Sequence, residues 1–171
     1  AWVKATGTPI YEALGMSEVS TYVSASPTRP APEGAAGYAQ PGRRIAVLNA
    51  EATPVPRGTA GELAVGAEDP GLFLGYWRAG DETRAKLRDG WFLTGDTALM
   101  ENDGAIRYLG REDDMLNAGG FRVSPLEVER AFDAHPGVQE SAAVELTLRA
   151  GVSVTGLFYV PRAAPLSDDE L

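Results

Sequence analysis

The feature that most constrains this chain is a helix start near the end of residues 110–129, a polar and glycine-containing stretch. Ser124 can accept a hydrogen bond from the first turn, and Glu127 stands three residues later, where it completes a capping box. Pro125 occupies the first helical position, where its missing N–H costs nothing. These signals predict a loop followed by a helix over residues 125–134.

Short apolar segments separated by turns fill residues 43–110. Spacing of this kind is typical of a small sheet or barrel. Further strand patterns follow the predicted helix. We therefore expect an α+β fold in which a β-rich, barrel-like part precedes a small α+β part. The predicted strands cover residues 44–48, 62–66, 105–109, 139–146 and 152–160.

The composition excludes several classes of protein. The 171 residues are 44% apolar, and no apolar run is long enough to span a bilayer. The absence of cysteine removes disulfides, zinc–thiolate sites and cysteine nucleophiles. A net charge of −9 argues against a nucleic-acid surface, which needs a basic patch. We expect a cytoplasmic protein without a membrane span or a nucleic-acid partner.

Residues 14–18 combine a glycine, a hydroxyl and a carboxylate. Gly15 allows the backbone to come close to a nucleotide. The Ser17 hydroxyl can donate to a phosphate oxygen, and the Glu18 carboxylate suits Mg²⁺, which prefers oxygen ligands. An ordinary capped loop explains the same residues, so both interpretations remain open.

A second carboxylate, Asp96, ends a predicted turn at residues 94–96. One carboxylate can accept hydrogen bonds from both hydroxyl groups of a ribose. Arg111 follows after an intervening strand, and its permanently charged planar fork suits a ribose or phosphate contact better than lysine does.

Other conspicuous residues are interpreted as structural. His135 is the only histidine, and it lies between the predicted helix and a Pro-Gly pair, where capping the helix is favoured over catalysis. Packing or surface exposure is expected for one carboxylate and three aromatic residues: Glu62, Tyr76, Trp77 and Trp91.

In their order, these motifs resemble the adenylate-forming (AMP-binding) superfamily of acyl- and aryl-CoA ligases, peptide-synthetase adenylation domains and luciferases. Residues 14–18 resemble its YGxTE motif, with leucine for tyrosine and serine for threonine. Residues 61–76 resemble its GEL…GY run, and residues 91–96 resemble YxTGD. Residues 110–129 resemble its GRxD…GxR…E linker.

The resemblance implies a domain organisation. Residues 1–110 correspond to the C-terminal part of the large AMP-binding domain, residues 111–114 to the hinge, and residues 115–171 to an incomplete small C-terminal domain. The family's phosphate loop and its C-terminal catalytic lysine do not occur in the 171 residues. We therefore expect a fragment that is truncated at both ends and inactive by itself.

The resemblance also implies roles for individual residues. Catalytic roles fall to Ser17, Glu18 and Arg122, with Glu18 as the Mg²⁺ ligand and Asp113 as the hinge. Two interpretations stay open beside these, since residues 112–114 also fit a solvated acidic loop and Arg122 also fits a surface salt bridge. ATP contacts are implied for Gly15, Met16, Ser17, Asp96, Arg111 and Arg122, and coenzyme A contacts for Gly119, Gly120 and Phe121.

The implied activity is that of an ATP-dependent carboxylate–CoA ligase, which forms an acyl-adenylate and then an acyl-CoA thioester using ATP, Mg²⁺ and coenzyme A. Residues 123–129, 135–138 and 160–162 most resemble the benzoate-CoA ligase branch, which favours an aryl or medium-chain acid. The alternatives are an adenylation domain that loads a carrier protein and a non-catalytic nucleotide-binding remnant. The sequence defines neither the acid nor the oligomeric state.

Overall fold

The computed structural model describes residues 2–118, 121–149, 152–163 and 165–166. The chain divides into two compact units, Ala1–Tyr108 and Leu109–Leu171. The assignment of these units to the large and small domains of the family stays a prediction. In the part of the chain that the structure describes, no helix is long and apolar enough to cross a bilayer.

The secondary structure is mostly strand, as predicted for a β-rich α+β chain. The first unit contains α1 (Trp2–Thr6), β1 (Ala13–Met16), β2 (Ser20–Ser24), β3 (Gly37–Ala39), β4 (Ile45–Leu48), β5 (Ala60–Gly66), α2 (Gly80–Ala85), β6 (Leu87–Arg88), β7 (Trp91–Met100) and most of β8 (Ala105–Arg111). The second contains β9 (Leu116–Ala118), β10 (Phe121–Val123), α3 (Pro125–Asp133), β11 (Val138–Arg149) and β12 (Val152–Pro161).

The first unit is built on one sheet with the strand order β1-β2-β3-β8-β7-β5-β4, and β6 pairs with β7. Among the residues described, no pairing joins the edge strands β1 and β4. The sheet is therefore open, whereas the sequence favoured a barrel-like arrangement. The predicted strands at residues 44–48, 62–66 and 105–109 are confirmed as β4, β5 and β8.

Strand β5 lies next to the edge strand β4, and its residues 63–66 are buried. Leu63 and Val65 belong to the main apolar cluster, whereas Ala64 between them belongs to a second cluster with Leu48. Successive side chains of a strand point to opposite faces, so this division shows that both faces of β5 are covered. Full burial of a Leu or Val side chain stabilises the fold by about 1.5–3 kcal/mol.

The second unit is organised around α3, whose start is confirmed. The Ser124 hydroxyl accepts a hydrogen bond from the Glu127 N–H (3.3 Å) and donates one to the Leu109 carbonyl, and Pro125 is the first helical residue. After the helix, the His135 ring accepts a hydrogen bond from the Gly137 N–H (3.1 Å). The histidine therefore stabilises the turn that follows the helix.

The β11–β12 hairpin packs on α3, where Phe132 meets the ring of Tyr159 edge to face at 5.6 Å. The hairpin is longer at both ends than the predicted strands, with Val138 and Pro161 as its outermost pair. A set of large apolar side chains on these two strands is exposed to solvent: Val144, Leu146, Leu148, Val154, Phe158 and Val160.

Candidate functional site

The segment at residues 14–18 is only partly the loop that the sequence predicted. Leu14 and Met16 lie in β1, are half-buried and pack against the main apolar cluster. Only Ser17 and Glu18 lie in the turn before β2, with Ser17 exposed and Glu18 half-buried. The prediction of a loop was wrong for its first half because the apolar side chains gain burial when β1 pairs with β2.

Gly15 has a structural role that the sequence did not reveal. The register between β1 and β2 shifts after Leu14, so Gly15 comes very close to the neighbouring strand. A Cβ atom at this position would lie 3.1 Å from both the Ser20 carbonyl oxygen and the Thr21 Cα atom. Strand packing alone therefore favours glycine here, and a nucleotide contact remains a prediction.

Glu18 is held by two hydrogen bonds from one segment. Its carbonyl oxygen accepts from the Phe73 N–H (2.6 Å), and its Oε1 atom accepts from the Tyr76 hydroxyl (2.6 Å). The next residue, Val19, is fully buried and anchors the turn to the core. The Glu18 carboxylate is thus fixed at the boundary between core and solvent.

The donor chemistry at Glu18 fits a magnesium ion that is shared with a nucleotide. Within the described residues there is no group of three or more His, Cys, Asp or Glu side chains that could hold a metal ion by itself. Magnesium in nucleotide sites commonly uses only one or two carboxylates, and phosphate oxygens and water supply the remaining ligands. One oriented carboxylate is therefore compatible with that mode of binding.

Asp96 lies in a bulge within β7, and the prediction of a turn at residues 94–96 was wrong. The strand continues through this segment, and the single residue Leu63 of β5 lies opposite its three residues. Gly95 adopts a φ angle of 78°, a left-handed conformation that glycine accepts without steric cost. Extra residues in one strand of a pair bend it and redirect its side chains, and bulges are enriched beside active sites.

Three contacts secure the Asp96 bulge. The buried Tyr22 hydroxyl donates to Asp96 Oδ2 (3.2 Å), and the Asp96 N–H donates to Thr94 Oγ1 (3.1 Å). The Thr94 hydroxyl in turn donates to the Leu63 carbonyl (2.8 Å). Burial raises the pKa of Tyr22 above its usual value, and the neighbouring negative charge of Asp96 raises it further. Tyr22 therefore stays a neutral hydrogen-bond donor.

Glu62 adds a further contact to the Asp96 bulge. Its Oε1 atom accepts a hydrogen bond from the Gly95 N–H (3.1 Å). Glu62 and Tyr76 were interpreted as packing or surface residues, yet each contacts a candidate residue or its immediate neighbour. The only signal for them was their position in the GEL…GY run. Trp77 is exposed, which agrees with the expectation that it is a packing or surface residue.

The candidate residues of the second unit lie in a more exposed stretch. Arg111 forms an ion pair with Asp113 (Nε to Oδ1, 3.4 Å), and the Asp113 side chain is 75% exposed. Arg122 donates to the Glu112 carbonyl, so the stretch is tied to itself. Phe121 is also 75% exposed. Gly119 and Gly120 lie outside the described residues.

Comparison with known proteins shows which proteins the chain is similar to. Residues 1–77 match the family described as AMP-binding enzyme. A long-chain-fatty-acid–CoA ligase from Salmonella typhimurium is 37% identical over 99% of the chain. A 3-hydroxybenzoate–CoA ligase from an Aromatoleum species is 31% identical over 100% of the chain. The crystal structure of an anthranilate CoA ligase in complex with anthranoyl-AMP superposes on 98% of the chain with a TM-score of 0.83 and 30% identity.

The match to the AMP-binding family covers residues 1–77, and the similarity of the chain to acyl- and aryl-CoA ligases extends over essentially all of its residues. The chain spans 30% of the length of the fatty-acid ligase, 32% of the hydroxybenzoate ligase and 32% of the anthranilate ligase.

Proposed function

We propose that the protein containing this chain is an ATP-dependent carboxylate–CoA ligase. The observation that carries the proposal is the similarity of the entire chain to CoA ligases that act on chemically different acids. The secured Asp96 bulge gives that similarity a physical basis, because it presents a carboxylate whose position is fixed before any ligand arrives.

The proposed reaction has two steps. A carboxylate oxygen of the acid attacks the α-phosphorus of ATP, the bond to the β-phosphate breaks, and pyrophosphate leaves. The sulfur of coenzyme A then attacks the acyl carbonyl carbon, AMP leaves with its oxygen, and the thiol proton passes to the medium. Neither step forms a covalent bond to the protein, so catalysis rests on positioning and electrostatic stabilisation.

The first unit contributes to nucleotide binding in this proposal. Asp96 accepts hydrogen bonds from the ribose hydroxyl groups, and the exposed Ser17 hydroxyl donates to a phosphate oxygen. Gly15 and Met16 line the nucleotide through the backbone of β1. Glu18 holds Mg²⁺, which neutralises phosphate charge when it is bound.

The second unit contributes cations and a path for the thiol. Arg111 and Arg122 contact ribose or phosphate with permanently charged forks. Asp113 is the pivot between the two steps. Phe121, together with Gly119 and Gly120, borders the route of the pantetheine arm. The exposed positions of Arg122 and Phe121 support roles toward a ligand, since neither side chain is used to build a core.

The proposed substrate is an aryl or medium-chain carboxylic acid. Similarity to the hydroxybenzoate and anthranilate ligases supports an aryl acid. The higher identity to the fatty-acid ligase, 37% against 31%, makes a long-chain acid the strongest competitor. The acid is therefore the variable that the experiment must resolve.

The test is direct detection of the thioester. The complete gene product that contains this chain is incubated with ATP, Mg²⁺, coenzyme A and, separately, benzoate, 3-hydroxybenzoate, octanoate and palmitate. We expect acyl-CoA, identified by mass spectrometry, from an aryl or medium-chain acid. A product from palmitate alone would contradict the proposed substrate. Acyl-AMP without any thioester would instead favour transfer to a carrier protein.

A further inference from the structure

The segment around Tyr76, which the sequence matches to a family motif without giving it a task, lies against Glu18. The Phe73 N–H holds the carbonyl oxygen of Glu18, and the Tyr76 hydroxyl holds Oε1, each at 2.6 Å. One short segment therefore fixes both the backbone and the carboxylate of the same residue. Without the second bond, the glutamate side chain would sample several rotamers.

Tyr76 is itself held in place from several directions. Its ring meets Phe73 edge to face at 4.8 Å, and Phe73 meets the buried Phe92 at 5.7 Å. Its N–H donates to Thr83 Oγ1 (2.9 Å). The preceding Gly75 has a φ angle of 139°, which a residue with a side chain adopts only under strain. The hydroxyl is thus a donor whose direction is set by the fold.

We propose that Tyr76 is a positioning residue that orients the Glu18 carboxylate toward the magnesium ion accompanying ATP. This inference rests on the proposed function. A carboxylate offers about four lone-pair sites, so the bond from Tyr76 leaves acceptor sites on Glu18 for a metal. Because the carboxylate is already ordered, less conformational entropy is lost when the ion and the nucleotide bind.

The test compares three forms of the complete protein: wild type, Tyr76→Phe and Tyr38→Phe. Tyr38 is a matched control because its hydroxyl donates to Asp103 Oδ2 (3.1 Å), a tyrosine–carboxylate pair that contains no candidate site residue. ATP binding is measured by calorimetry in Mg²⁺ and in EDTA. We expect the gain in affinity due to Mg²⁺ to fall about threefold to tenfold in Tyr76→Phe, the size of one net hydrogen bond. Affinity in EDTA and the behaviour of Tyr38→Phe should match wild type.

If Mg²⁺ raises the ATP affinity of Tyr76→Phe as much as it raises that of wild type, the inference is overturned. The ligase proposal would still stand, since thioester formation by wild type is measured separately. The absence of any Mg²⁺-dependent ATP binding in wild type would overturn both. A double-mutant cycle covers the case in which Tyr76→Phe destabilises the protein. In a Glu18→Gln background, Tyr76→Phe should cause no further change in the increase of ATP affinity that Mg²⁺ produces. A further change would show that Tyr76 acts through a residue other than Glu18.

Discussion

The candidate residues of the two units differ in how firmly the fold holds them. Asp96 lies in a strand bulge beside the centre of a large sheet, and its carboxylate accepts a hydrogen bond from the buried Tyr22. Arg122 lies in a two-stranded sheet, is exposed, and donates to a carbonyl of its own loop at Glu112. The fold therefore holds the Asp96 carboxylate more firmly than it holds the Arg122 side chain.

The difference follows from packing. The bulge in β7 is flanked by strands whose side chains fill the main apolar cluster, including Leu63 and Ile106. In a close-packed core a side chain has few alternative positions, and strain is transmitted to its neighbours. Residues 112–114, in contrast, are exposed, and so is the ion pair between Arg111 and Asp113. Exposed pairs contribute roughly 0–1 kcal/mol.

The largest effect is expected from Asp96→Asn. The substitution removes a charged acceptor, and hydrogen bonds to charged groups are worth about 1.5–3 kcal/mol, so ATP affinity of the complete protein should fall about 10- to 100-fold. Titration with ATP and with 2′-deoxy-ATP measures this loss. The preference for ATP over the deoxy analogue should also shrink.

The control for that experiment is Asp103→Asn, which alters a carboxylate that accepts from Tyr38 rather than from Tyr22. It should leave ATP affinity unchanged. Equal losses in the two variants would show that Asp96 acts through general stability and not through the ribose.

The next effect concerns the support of the bulge. Thr94→Val keeps the shape of a buried side chain but leaves the Leu63 carbonyl and the Asp96 N–H without their hydroxyl partner. Unsatisfied buried groups cost about 1–3 kcal/mol. The thermal midpoint of the 171-residue chain should fall by several degrees, since about 1 kcal/mol shifts a chain of this size by roughly 2–4 °C. Thr147→Val, at an exposed position of β11, is the control, and a similar fall there would remove the contrast between the units.

A smaller effect is expected at the start of α3. Ser124→Ala removes the helix cap, which costs about 1 kcal/mol. Hydrogen exchange should accelerate at the amides of α3, while the amides of β5 serve as an internal reference and keep their rates. Faster exchange in both places would mean that the two units unfold together. That result would contradict the proposed difference between the units.

The smallest effect is a pH response in the second unit. Hydrogen bonds from the Ser153 hydroxyl and the Asn117 N–H hold the pKa of Glu145 below its usual value. A lowered folded-state pKa stabilises the folded form above the unfolded pKa, and that stabilisation is lost as the pH falls through the folded value. Protection of the Asn117 amide, expressed relative to its intrinsic exchange rate at the same pH, should therefore fall on acidification. In Glu145→Gln this protection should be low at every pH, and a wild-type pH profile of protection in that variant would contradict the assignment.

Local signals predicted much of the fold. The cap at Ser124, the proline at the first helical position and the apolar segments that became β4, β5 and β8 are each encoded within a few residues. The order of motifs was also sufficient to indicate the family, which the comparisons confirm. These features do not depend on distant parts of the chain.

The remaining features could not be predicted because they depend on distant partners. The bulge at Asp96 is defined by its register with β5, and the strand at residues 14–16 by pairing with β2. The tyrosines that hold the two carboxylates lie 74 residues from Asp96 and 58 residues from Glu18. Nothing in the sequence around either tyrosine indicates such a partner.

The central claim is tested most directly by carboxylate-dependent ATP–pyrophosphate exchange, measured side by side on the 171-residue chain and on the complete gene product. The chain lacks the family's phosphate loop and lysine, so we predict no exchange from it, and exchange with an aryl or medium-chain acid from the complete protein. Exchange by the chain alone would contradict the roles assigned to those missing elements. The absence of exchange from the complete protein with every acid would contradict the ligase proposal itself.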